Sequence, residues 1–217
     1  MSFLSELKNQ ANALQQQQHG VQHDASANRR CTELACQVAL RYLQDLCVQL
    51  NVIKPPAVGA YSLDGKSSFP PLVLAHLRCD ARKKMLYNQE VVSYLAVGWD
   101  LLPASGKADK LRISVNFPPE LERVTQRLAA GQVAHERKEV RHPDTQKLQS
   151  YVFECTGQAR GSITVTPDHD AARVDFRITA VGGFEVLQKA YPSAQVNQAW
   201  LDELAKMLVG QPSRFGQ

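Results

Sequence analysis

Phe69–Cys79 reads FPPLVLAHLRC, and the chain changes its period inside it. Before this stretch apolar residues return every three or four positions, as on a helix. After it they alternate, as on a strand with one buried face. On the strand reading Val73, Ala75, Leu77 and Cys79 share one side and His76 faces the other. Pro70 and Pro71 cannot donate to a ladder, so they mark where the helical part ends.

Toward the C-terminus the alternation recurs. EVVSYLAVGWDLL (Glu90–Leu102) puts Val91, Leu95, Val97, Trp99 and Leu101 on one face, and LRISVNF (Leu111–Phe117) sets Leu111, Ile113, Val115 and Phe117 against Arg112, Ser114 and Asn116. A helix is predicted from Pro118. Prolines suit a first turn, Glu120 and Glu122 sit at the positive dipole end, Leu121, Val124 and Leu128 form an apolar face, and Gly131 supplies a stop. QVAHERKEVR (132–141) reads as a charged edge strand. KLQSYVFECT (147–156), GSITVT (161–166) and ARVDFRIT (172–179) follow as strands, and a helix closes the chain over Val196–Val209.

TVTPDHDAARVDF (Thr164–Phe176) sets Asp168 and Asp170 on either side of His169. Alternation on both flanks makes it a hairpin, with Val165 expected opposite Val174, Ile163 opposite Phe176, and PDHDA as a surface turn. Neighbours in a tight turn cannot converge on one ion, so no metal site is expected there.

Toward the N-terminus, residues 26–50 form a predicted long helix. Cys31, Leu34, Ala35, Val38, Tyr42, Leu46 and Leu50 make its apolar stripe, and Ala39, Leu43 and Cys47 widen it. Residues 1–18 read as a narrower amphipathic helix through Phe3, Leu4, Leu7 and Leu14, and HGVQHDASAN (19–28) as a linker. The chain thus divides into an N-terminal helix with its linker, 1–24, and one domain, 25–217. Strands joined by short turns are antiparallel, so the expected class is α+β: a curved antiparallel sheet of about six or seven strands. The long helix and the closing helix pack it, and one helix is inserted between strands.

Charge narrows the partners. Lysines and arginines number 25 against 21 acids, a net +4, which tolerates an anion without requiring one; a nucleic-acid partner is not expected. The five cysteines are an odd set without C-x-x-C, so neither a disulfide framework nor a zinc ribbon is expected. No apolar run is long enough for a signal peptide or a membrane span, and the reading is cytoplasmic.

The motifs of catalysis are missing. H-E-x-x-H, G-x-S-x-G and G-x-G-x-x-G do not occur, and GKSS (65–68) lacks the glycine that opens a phosphate loop. No catalytic set and no cofactor are expected. RKEVR (137–141) places Arg137 and Arg141 four apart ahead of a strand. That resembles one half of the pattern by which PilZ domains grip cyclic di-GMP. The other half is missing, because ECTGQARG (154–161) has Thr156 and the wrong spacing. With Arg78, from the basic run RCDARKK, these arginines are the candidate anion-binding residues. His76, Tyr94 and Asp100, with Arg78 beside them, are the candidate lining of a pocket.

The leading expectation is a non-enzymatic adaptor, chaperone-like or assembly protein. Its N-terminal helix (Phe3, Leu4, Leu7, Leu14) would dock on a protein partner or self-associate. The alternative is a small-molecule or nucleotide-binding domain, with or without catalysis, whose pocket lies on the concave face of the sheet.

Overall fold

The computed structural model describes the backbone of residues 3–216 and the side chains of residues 25–216. In chain order the elements are α1 (Phe3–Ile53), β1 (Leu72–Leu86), β2 (Gln89–Pro103), β3 (Lys110–Val115), α2 (Pro118–Ala130), β4 (His135–Arg141), β5 (Leu148–Thr156), β6 (Ala159–Asp168), β7 (Arg173–Thr179), β8 (Val186–Pro192) and α3 (Gln198–Leu208). The class is α+β. The single expected sheet is two: a five-stranded sheet in the order β1-β2-β6-β7-β8 and a three-stranded sheet in the order β3-β5-β4. Every pairing between these strands is antiparallel, and both sheets are open at their edges. Alternation reports which side chains share a face, not which strand lies alongside, so it could not separate the sheets.

The helix α1 continues through 19–28, where a linker was expected. Gly20 costs a helix interior about 1 kcal/mol relative to alanine, which does not by itself end it. The side chains of Phe3, Leu4, Leu7 and Leu14 lie outside the described residues. Among the described residues no helix is long and apolar enough to cross a membrane.

β1 and β2 form one long hairpin, closed by Tyr87 and Asn88 with φ of 48° and 63°. Two positive φ values match the twist of the flanking strands, as in a type I′ turn. The ladder steps from Ala75↔Asp100 to Arg78↔Gly98, so His76 and Leu77 together face one residue, Trp99, and His76 takes φ 53°. This bulge adds a residue and reverses the alternation. The inward set is Leu72 and Leu74 before it and Leu77 and Cys79 after it, correcting the unbroken series from Val73 to Cys79. A second step, from Arg82↔Tyr94 to Lys83↔Val92, leaves Ser93 as the extra residue of β2.

Side chains from elsewhere hold both irregularities. Asn51 of α1 donates from Nδ2 to Leu77 O at 2.9 Å, and Leu77 N donates back to Asn51 Oδ1 at 2.8 Å. Val92 N donates to Glu33 Oε2 at 3.0 Å, and its carbonyl accepts from His169 Nε2 at 2.8 Å.

His169 is therefore not at the surface; it is only 3% exposed, and Asn28 ties the same turn to α1 by donating to Asp170 O at 2.8 Å. The turn is a turn, but a docked one. The observed register pairs Val165 with Phe176 and Ile163 with Ile178. It differs from the expected pairing by two residues, and an even slip keeps every side chain on its face.

The core joins Cys36, Ala39, Leu43, Cys47 and Leu50 of α1 and Leu201, Leu204 and Leu208 of α3 to Leu95, Leu101, Ile163, Val165, Phe176 and Ile178 of the larger sheet. Each fully buried large side chain contributes about 1.5–3 kcal/mol. Tyr42 OH donates to Asp202 Oδ1 at 2.6 Å, pinning α1 to α3. α2 ends at Gly131, whose φ of −88° needs no glycine. A Cβ there would lie 2.4 Å from the Phe184 ring, so close approach is the reason for this residue.

Candidate functional site

The outward face of the larger sheet carries a polar cluster drawn from three strands. Asp100 of β2 stands opposite Arg160 of β6 and beside the bulge of β1. His76 Nδ1 lies 2.9 Å from Asp100 Oδ2, and Arg160 Nε donates to Asp100 Oδ1 at 3.2 Å. The left-handed backbone at His76 turns this side chain outward between buried Ala75 and Leu77. A carboxylate on Nδ1 orients the imidazole and leaves Nε2 to solvent, an arrangement a general base would share.

Among the described residues no Ser, Thr or Cys side chain is bonded to the His76 ring. Ser162, on the same face, shares its hydroxyl with Thr179 at 3.0 Å. The His76 and Arg160 side chains are 67% and 62% exposed, so the cluster sits on open surface and not in a recess. Such a surface can hold an anionic group through an imidazole and guanidiniums. Arg78, opposite Gly98, shares the face. Tyr94 pairs with Arg82, six positions from Asp100 along β2; that is about 20 Å at the rise of a strand. Of the expected pocket, the structure brings together His76 and Asp100 and leaves Tyr94 apart.

The arginine pair lies in the other sheet. Arg137 of β4 stacks 3.9 Å from the centroid of the Tyr151 ring. Arg141 binds Glu139 at 2.6 Å and donates to Gln146 O at 3.2 Å. Each guanidinium has its own intramolecular partner, so the pair does not form one fork, nor does it join Arg78. β4 is the charged edge that its sequence suggested.

Burial pushes the Cys36 and Cys47 thiols up to about 12, with the Glu33 charge adding at Cys36, and pushes Cys79 and Cys155 up to about 11. A thiol so raised is neither a ready nucleophile nor a ready metal ligand at neutral pH. Among the described residues no group of three or more His, Cys, Asp or Glu is placed to hold a metal ion.

Two apolar surfaces escaped the sequence reading. An open groove of about 260 Å³ runs between β3, α2 and β5, lined by Val115, Phe117, Leu121, Leu148 and Tyr151. The other is the outward side of α1, where Leu34, Val38, Val48 and Val52 are 55%, 41%, 60% and 80% exposed. The periodicity places Leu34 and Val38 in the core stripe, and the fold leaves them in solvent. Of the expected stripe Ala35, Ala39, Leu43, Cys47 and Leu50 are buried, and Thr32 and Cys36 join them. The small residues among them, which let a helix lie close to a sheet, were the available signal. Compared with known protein families, curated proteins and solved structures, the chain matches none.

Proposed function

We propose that this is a non-enzymatic binding protein of the cytoplasm, an adaptor or assembly factor that acts through protein–protein contacts. The observation that carries the reading is the outward face of α1, where four large aliphatic residues stand in solvent along one line of the helix. Exposed apolar patches on a folded domain mark interaction surfaces. The five unpaired thiols suit a reducing compartment.

A second reading is favoured by the His76–Asp100–Arg160 cluster: binding of an anionic small molecule or nucleotide on the larger sheet. One experiment separates them. A photo-crosslinking residue is placed at position 38, 48 or 76 of the full chain, beside a thermal-shift screen with nucleotides, acyl compounds and divalent metals. Protein adducts from 38 and 48, none from 76, and no thermal shift are expected. A reproducible shift lost in His76→Ala, with no adduct at 38 or 48, replaces the first reading by the second.

A further inference from the structure

From the outward face of α1 we infer that the protein pairs with a second copy of itself through α1, the two helices running antiparallel about a two-fold axis at the level of Leu43. The inference rests on the protein–protein reading above and names its partner.

The exposed positions on this side of the helix are Leu34, Val38, Arg41, Asp45, Val48 and Val52. They follow steps of four and three, the spacing of a helix-pairing seam. Continued toward the N-terminus, the spacing meets Cys31, Ala27, Asp24, Gly20 and Gln17, so the large apolar side chains are confined to 34–52. That length is about 27 Å at the rise of a helix.

The order of residues is self-complementary. In an antiparallel pair centred on residue 43, Leu34 meets Val52 of the second copy, Val38 meets Val48, and Arg41 meets Asp45. The two-fold repeats each contact, as a closed isologous interface requires. In a parallel pair, by contrast, Arg41 would meet Arg41 and Asp45 would meet Asp45. Charge therefore selects the antiparallel arrangement. Neither charge has an ion-pair partner among the described residues. Their order along the helix, cation before anion, is the less favourable one for pairing within a helix. Between residues 34 and 52 the flanking exposed residues Gln37, Gln44 and Gln49 are uncharged and oppose neither orientation. A seam of this length gives an interface toward the small end of the stable range, so dissociation on the order of micromolar is expected.

Sedimentation equilibrium of the full chain from low to high micromolar concentration tests the pairing. The expected result is a concentration-dependent rise from 24.1 kDa toward twice that mass. Arg41→Asp alone and Asp45→Arg alone, both at exposed positions, are expected to weaken association at least tenfold, with melting curves showing that each remains folded. An equimolar mixture of the two is expected to recover association, because every charged layer is then Arg against Asp. A wild-type chain monomeric throughout overturns the inference, as does association unchanged by either substitution or weakened by both without recovery on mixing. Loss of association in Leu4→Glu/Leu7→Glu/Leu14→Glu with Arg41→Asp unaffected assigns it to the N-terminal segment and also overturns it. A monomer whose position 38 crosslinks to a different protein sinks this pairing and leaves the protein–protein reading standing. A ligand shift lost in His76→Ala, with no adduct at 38 or 48, sinks that reading.

Discussion

The Asn51 carboxamide closes both main-chain hydrogen bonds of Leu77, donating to its carbonyl at 2.9 Å and accepting from its N–H at 2.8 Å. Leu77 is the second residue of the β1 bulge and has no partner in the β2 register. A single side chain of α1 thus does for the bulge what a neighbouring strand does elsewhere. It also holds the backbone that turns His76 toward Asp100.

Asn51→Asp keeps the size of the side chain and replaces its donor with a second acceptor aimed at a carbonyl. Asn51→Leu removes both bonds. Leaving partly buried main-chain groups unpaired costs about 1–3 kcal/mol, so both variants are expected to unfold at lower urea concentration with an unchanged slope. A midpoint equal to wild type in both would show that the clamp contributes nothing.

At Gly161 a Cβ would lie 2.2 Å from the indole of Trp99, which is 3% exposed. In a close-packed core the ring can give way only by displacing its neighbours, and overpacking costs about 1–3 kcal/mol. Gly161→Ala is expected to lower thermal stability and to red-shift tryptophan emission as the ring moves. Unchanged emission together with an unchanged melting temperature would count against this packing.

Asp64 organises its loop by accepting from Ser67 N at 2.7 Å, Lys66 N at 2.8 Å and Ser67 Oγ at 2.9 Å. Partial burial works to raise its carboxyl, but these bonds and one from Ser62 outweigh it and hold the pKa below the ordinary 3.8. Because the folded value is the lower one, the stabilisation is present above the unfolded value and is lost as pH falls through the folded value. Asp64→Asn is expected to flatten the acid limb of stability below about pH 4. Near neutrality it costs about 0.5–2 kcal/mol, as for a capping side chain. Urea unfolding of both proteins across the acid range checks this, and parallel acid limbs would refute it.

Thiol reactivity follows burial. Cys36, Cys47 and Cys155 are each no more than 5% exposed, and burial pushes their thiols up to about 12, 12 and 11. In the native protein at mildly alkaline pH, Ellman's reagent is expected to leave these three unmodified and to reach all five only in guanidinium. Rapid native modification of any of the three, located by peptide mapping, would contradict the packing of α1 or β5.

Residue order alone was enough for the local matters: the change of period near Pro71, the α+β class, the extent of α2, the charged edge β4 and the hairpin through His169. Those depend on residues within a few positions of one another, where periodicity and the conformations of proline and glycine decide. The placement of His76 beside Asp100 was legible because both belong to strands of one hairpin. Long-range packing set the division of the strands into two sheets, the bulge of β1 at His76 that reverses its faces, and the completion of the cluster by Arg160 in place of Tyr94. It also decided which side of α1 is buried, leaving Leu34 and Val38 outside. The seating of α1 against the β1–β2 hairpin, and of the β6–β7 turn against it, turns on Asn51, Glu33 and His169, whose hydrogen bonds reach 26, 59 and 77 residues along the chain. Contacts over such distances leave no period in the sequence, because their spacing is set by how the chain returns on itself.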